Sequence, residues 1–357
     1  MIRTRFIAVA LVAALASPAA ALGTSAGEVT ITPMATGLEE PWSVAFLPDG
    51  GFLVTERDGR LTRFGTDGTA ARIEGVPDVF AEGQGGLFDV LVPRDFGERS
   101  EILLSFARPD GQGGGGTAVA AARLEGDRLT NLRLLFTMNV MSASGRHFGG
   151  RIVEAADGAV FLTIGDRGMG MPAQDPDSHI GKIIRLTRDG GAAIWSSGHR
   201  NPQGATLDAD GRLWTSEHGA QGGDEINRPE QGKNYGWPVI TYGKDYDDSP
   251  IGEGTGKPGL EQPLHYWDPS IAPSGHVIYS GRLWPEWQGD HFVGSLKFSY
   301  IARMDPDASG PGGWAEERIE APETGRVRDV REAPDGSIWF ISVIEGAVFR
   351  MAPAATE

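Results

Sequence analysis

The sequence predicts an all-β fold, a six-bladed β-propeller. Asp-Gly turns recur between short apolar runs, and those runs are rich in β-branched and aromatic residues. The chain also carries 52 glycines and 23 prolines, with few helical patterns. Many short strands joined by tight turns is the architecture that such a balance favours.

The turns carry the repeat. "FLPDGGFLVTERDGRLTRF" sets Asp49-Gly50 between two strands, and "VEAADGAVFLTIGDRG" does the same at Asp157-Gly158. "TLDADGRLWTSEHG" repeats it at Asp210-Gly211, and "REAPDGSIWFISVIEGAVFRM" at Asp335-Gly336. Asp-Gly favours the positive-φ turn of a tight hairpin. Two weaker copies, "PRDFGERSEILLSFAR" and "WPEWQGDHFVGSLKFSYIARM", fill the gaps. Turns then fall near 50, 97, 158, 211, 289 and 336. Their mean spacing of roughly 57 residues is in the range of propeller blades. A β-sandwich with ordinary hairpins is the competing architecture. Residues 108–117, "RPDGQGGGGT", read as a flexible glycine-rich loop, and 243–262 as a long surface excursion.

The N-terminus precedes the repeat. Arg3 and Arg5 are followed by an apolar run from Phe6 to Ala16 and the small residues Ala19, Ala20 and Ala21. That order predicts a secretory signal peptide over 1–21, too short to remain as a membrane span. The expected organisation is therefore a signal peptide, 1–21, and one propeller domain, 22–357, exported to the periplasm, with no membrane span.

Charge and cysteine content exclude several functions. The net charge of −16 becomes −18 once Arg3 and Arg5 are removed. Nucleic acid and anionic membranes would repel such a chain. There is no cysteine, so disulfides, thiol nucleophiles, cysteine zinc sites and CxxCH haem attachment are excluded. No GxxxxGK[ST] motif occurs, so nucleotide binding has no support.

Four segments could carry chemistry. In "TGRVRDVREAPDG", Arg326 and Arg328 are two apart in a strand, so both project to one side. Lys297 lies in the preceding blade, in "GSLKFSY". Taken singly, each cation reads as a solvated surface charge; converging at the hub, the three would hold an anion with several carboxylates. His147, in "GRHFGGRIVEAADG", sits among glycines ahead of a strand. An imidazole near its ordinary pKa can take a proton from an alcohol. Spacing alone does not rank it above His179, His199, His218, His265, His276 or His291. The stretch 198–238 places Asn201 in a turn-like Asn-Pro, and "EHGAQGGDEIN" is a tight loop of carbonyls with adjacent Asp224 and Glu225. An oxygen-rich loop suits calcium, or is a polar turn with capping carboxylates. "EGQGGLFDV" sets Gln84 among glycines before a strand, which alone is a plain β-turn.

In series, these segments resemble the soluble PQQ-dependent sugar dehydrogenases, the glucose dehydrogenase and aldose sugar dehydrogenase family. The similarity runs through "GLEEPWSVAFLPDG", "GQGGLFDV", "HFGGRIVEAADGAVFLTIGDRG", "GHRNPQG", "SEHGAQGGDEINRPEQGKNYGWP", "DPSIAPSG", "GSLK" and "GRVRDVREAPDG", from about residue 37 to 350. "GHRNPQG", "DEIN" and "NYGWP" in that order are the specific part.

The resemblance implies a six-bladed propeller with pyrroloquinoline quinone (PQQ) at the wide end of its channel. By motif, Gln84, Asn201, Lys297, Arg326 and Arg328 contact the cofactor, and His147 is the catalytic base. The carbonyls of Gly219 and Ala220 hold Ca2+ beside the quinone, and Glu225 and Tyr235 match positions that bind a further calcium. Trp267 is a candidate to stack near the cofactor. The implied reaction is oxidation of an aldose at C1 to a lactone, with hydride passing to the calcium-polarised quinone. It also implies broad aldose use and a separate electron acceptor, a cytochrome or a quinone. Two other functions compete: a calcium-dependent lactonase-type hydrolase, which needs no convergent cations, and a non-catalytic binding propeller.

Overall fold

A computed structural model of the chain describes residues 21–308 and 313–355. The expected signal peptide lies outside the described residues, apart from Ala21. Among the described residues, no helix is long and apolar enough to cross a membrane.

Six antiparallel sheets follow one another along the chain, which excludes the sandwich. Their innermost strands are Pro41–Phe46, Leu87–Leu91, Ile152–Glu154, Pro202–Leu207, Pro273–Ile278 and Val327–Glu332. Each of the six predicted turns joins one of these to the second strand of its sheet. The sixth sheet is closed by sequence-distant pairing: Gly27–Ala35 pairs with Ala347–Pro353. This joins the two ends of the domain in one blade.

The core is divided among the gaps between blades. Leu53 and Leu61 meet Leu87 and Leu104 between the first two blades. Val44 and Val54 meet Ile341 and Val348 where the last blade meets the first. Because each sheet is covered on both faces, strands such as Phe52–Glu56 and Ile338–Ser342 are buried at every residue. This is why they read as continuous apolar runs rather than alternating ones.

The axis is polar. Arg151, from the third blade, is 1% exposed and lies 3.3 Å from Asp89 of the second and 3.0 Å from Asp329 of the sixth. Arg331 reaches the same two carboxylates at 2.7 and 2.9 Å. Backbone N–H groups of Ile152 and Val44 donate to Asp89 and Asp329. Four blades are thus stitched to one ionic cluster. Removing one partner from such a buried cluster strands a charge, at a cost of about 3–5 kcal/mol.

The predicted flexible loop at 108–117 is a hairpin. Glu101–Pro109 and Gly115–Glu125 pair along their length, and the Asp110 carboxylate accepts from the N–H of Gln112 and Gly114. The glycines there form the tip of two long strands.

Candidate active site

Sequence order places the site. With the Asp-Gly turns at one end of each blade, residues before an innermost strand and after the second strand meet at the opposite end. Gln84, His147, Asn201 and Arg326 all precede innermost strands, whereas Asp166, His218 and Lys297 all follow second strands.

A cleft of about 160 Å³ opens at this end, lined by Gln84, Trp42, Arg57, His218, Arg326 and Arg328 among others. The glycines of "EGQGG" let the backbone close up here. A Cβ on Gly86, at φ +144°, would lie 1.9 Å from the Arg57 carbonyl, and one on Gly83 would lie 2.5 Å from that of Gly145. The second approach brings Gln84 to the histidine loop: its backbone N–H donates to Gly145, and its side-chain Oε1 accepts the N–H of His147 at 2.8 Å. His147 and Arg326 both hold left-handed backbone, at φ 49° and 52°. Such conformations cost on the order of 1–3 kcal/mol and concentrate at working sites.

The imidazole is oriented by a carboxylate. His147 Nδ1 lies 2.6 Å from Asp166 Oδ1. The same oxygen accepts the N–H of Gly168 at 2.7 Å, and Oδ2 accepts the indole N–H of Trp237 at 2.7 Å. Nδ1 therefore carries the hydrogen, leaving Nε2 as the proton acceptor. Burial pushes the His147 pKa below its ordinary value, against the raising effect of Asp166. Burial alone would raise the Asp166 carboxyl, but bonds from His147 and Gly168 hold it below the usual range.

The cleft is cationic and largely uncompensated. Arg57 is committed to Glu40 and to the carbonyls of Gly83 and Gly85. Arg326 reaches only the Leu296 carbonyl, at 3.2 Å, and Arg328 the Gln203 Oε1, at 2.6 Å. Among the described residues, neither pairs with a carboxylate. Burial, with Arg326 and Arg151 alongside, pushes the Arg328 guanidinium down to about 9. His218 is held neutral by burial and by Arg200 and Arg328, and its Nε2 is buried without a partner. These are features of a pocket that takes an anion.

The remaining predicted residues fall differently. Asn201 is buried behind the cleft, where its Oδ1 accepts the N–H of Gly149 at 3.2 Å. Lys297 is exposed just beyond Leu296, with its ammonium 5.0 Å from the Phe298 ring; it does not line the cleft. Trp267 is a correction. It lies in the core between the fourth and fifth blades, 6% exposed, with its indole N–H on Glu316. Its strand Pairs with Asp224–Asn227 as the outer edge of its blade, far from the innermost strands, so it cannot stack at the hub.

Beside the cleft, Gly219, Gly223, Glu225 and Tyr235 line a second cavity of about 10 Å³, room for one ion or water. Burial and then the nearby Glu217 push the Glu225 carboxyl up to about 8, so this corner favours positive charge. Asp224 is instead a turn organiser, accepting from Gly219, Ser270 and Ala272. The Tyr235 hydroxyl donates to the Arg228 carbonyl and accepts from the Glu230 N–H. Only its backbone carbonyl is left to offer a cation. Ala220 offers a carbonyl touched at 3.4 Å by Ser270 Oγ. No cluster of three or more His, Asp or Glu side chains able to hold a metal occurs among the described residues. A cation here would rely on backbone oxygens plus Glu225, a hard donor set suited to calcium.

Sequence reading missed Asp166, Trp42, Arg57, His218 and Trp237. A signal for Asp166 existed. It follows the second strand of the blade that His147 precedes, so the Asp157-Gly158 hairpin returns it to the same end.

Comparison with known proteins shows which family and fold the chain shares. The family model described as Glucose / Sorbosone dehydrogenase matches residues 38–350. Aldose sugar dehydrogenase YliI of Escherichia coli is 38% identical over 355 residues, covering 93% of this chain and 95% of that protein. The crystal structure of the soluble aldose sugar dehydrogenase (Asd) from Escherichia coli in the apo-form has a TM-score of 0.85 at 37% identity, covering 91% of this chain and 100% of that one. The PQQ-bound form of aldose sugar dehydrogenase from Streptomyces coelicolor has a TM-score of 0.76 at 25% identity, covering 93% and 99%.

Proposed function

The chain belongs to the Glucose / Sorbosone dehydrogenase family, and from that premise we propose that it oxidises aldose sugars at C1 to lactones, using PQQ in the cationic cleft, calcium beside it and His147 as general base. The observation that carries the proposal is the pair Arg326 and Arg328, lining the cleft without a carboxylate partner among the described residues. Arg328 is half-buried and Arg326 exposed, and two like charges converging on one cleft repel each other unless an anionic ligand lies between them. A tricarboxylate ring is such a ligand, and the relative from Streptomyces coelicolor is described as PQQ-bound.

When bound, PQQ supplies the two-electron acceptor for the C1 hydride, and calcium polarises its carbonyl. The chain supplies the rest. Arg326 and Arg328 hold the anion, with Lys297 contributing charge from the rim. Gln84 fixes the backbone of His147 while facing the cleft, and Asn201 ties the neighbouring Gly149 in place. His147 Nε2 takes the proton of the anomeric hydroxyl, and Asp166 stabilises the imidazolium that results. Gly219 and Ala220 offer carbonyls for the calcium at the quinone, and Glu225 with the Tyr235 carbonyl offers a further site. Electrons leave to a separate cytochrome or quinone. Cleavage of the signal peptide near Ala21 delivers the chain to the periplasm.

A lactonase would not need the two unpaired arginines, and a binding module would not need an oriented imidazole. The test is dye reduction by the mature chain with glucose and other aldoses, with and without PQQ and calcium. Reduction that needs PQQ supports the proposal; lactone hydrolysis without PQQ, or neither activity, contradicts it.

A further inference from the structure

We propose that Trp237 is a positioning residue for the base: its indole N–H fixes the carboxylate that orients His147, and links the base to the cavity lined by Glu225 and Tyr235. This rests on His147 being the base. Asp166 has two oxygens with separate duties. Oδ1 faces His147 Nδ1 at 2.6 Å and the Gly168 N–H at 2.7 Å, whereas Oδ2 accepts the Trp237 Nε1–H at 2.7 Å. A carboxylate swings readily about its last torsion. With Oδ2 held, Oδ1 stays in the direction that keeps the hydrogen on Nδ1.

Trp237 is itself held from several sides. Its backbone N–H donates to Gly198 at 3.0 Å, and its carbonyl accepts from Gln174 Nε2 at 2.7 Å. The Arg200 guanidinium lies 5.2 Å over the ring. Two residues earlier, Tyr235 donates its backbone N–H to Ser197, in the adjoining strand. The indole thus ties the carboxylate to a segment anchored in the third blade, and Trp237 also lines the small cavity beside Glu225. Ionisable groups facing His147 are Asp166, Arg200, Arg146 and His218; Trp237 acts on it only through the first.

The test uses the apoprotein first. Nitrogen-15 NMR of the His147 ring reads its tautomer and pKa in wild type and in Trp237→Phe. With Oδ2 released the carboxylate swings and the Nδ1 bond that raises the His147 pKa weakens, so the pKa falls further and the Nδ1–H tautomer becomes less dominant. In the PQQ-loaded enzyme, the acid limb of the pH profile moves the same way. Turnover falls about 10- to 100-fold, the range for a misplaced catalytic group, while KM and PQQ affinity hold. Should the phenyl ring pack poorly, site-specific β-(3-benzothienyl)alanine keeps the bicyclic shape without the N–H and must reproduce the NMR change. An unchanged His147 tautomer and pKa in the benzothienyl variant overturns the proposal. The NMR change without any change in turnover instead removes His147 from the base role and leaves the positioning intact.

Discussion

His147 and Asp166 form a single unit: the imidazole Nδ1 lies 2.6 Å from a carboxylate that is only 2% exposed. They stand 19 residues apart and are brought together by one hairpin of the third blade. Replacing Asp166 by Asn removes the charge and frees the tautomer. Turnover should fall by about two orders of magnitude or more, as when the orienting acid of a triad is neutralised, with PQQ affinity unchanged. Steady-state rates of the reconstituted variant check this.

The pH dependence follows from the direction of the His147 shift. Burial favours the neutral ring, and the neutral ring is the form that accepts a proton. The rate constant kcat/KM should therefore be flat through neutral pH and fall only below the ordinary histidine value. In Asp166→Asn the raising partner is gone, so the acid limb should move to still lower pH. A profile of kcat/KM for both proteins reads these limbs.

Arg328 is the cation most deeply set in the cleft, close to Trp42 and bonded to Gln203. Arg328→Met keeps bulk and removes charge. Reconstitution affinity for PQQ should weaken by about 10- to 100-fold, the range for one lost charge-assisted bond, while the fold is retained. Titration of the apoprotein with PQQ, followed by fluorescence, measures it.

Calcium should raise the melting temperature of the apoprotein, because a divalent cation relieves the crowding of Glu217 and Glu225. Glu225→Gln keeps the neutral shape and removes the carboxyl group that calcium would ionise. The variant should be less sensitive to added calcium and to chelator in a thermal melt, whereas Asp224→Asn should lose stability with or without calcium.

Much of the fold was legible because the propeller writes itself into local turns. Asp49-Gly50, Asp157-Gly158, Asp210-Gly211 and Asp335-Gly336 each sit where an innermost strand turns back. The closing strand Gly27–Ala35 was not legible, since its partner is more than 300 residues away and no local pattern specifies the pairing. The cations at 326 and 328 showed a shared face, but Lys297 differs: the turn after His291–Ser295 leaves it at the surface. Trp237 and Arg151 could not be read at all, because an indole or a guanidinium declares no partner until blades are assembled around it. Trp267 misled for the same reason, an aromatic next to a motif being as fit for the core as for a ligand.

The most direct test of the central claim is anaerobic mixing of the PQQ- and calcium-loaded chain with an aldose, in wild type and in His147→Gln, following the cofactor spectrum. The wild-type cofactor should be reduced within the mixing experiment, and the variant should bind PQQ equally well yet reduce it at least about 100-fold more slowly, at the lower end of what a positioned base contributes. Equal reduction by the two loaded proteins would contradict the account.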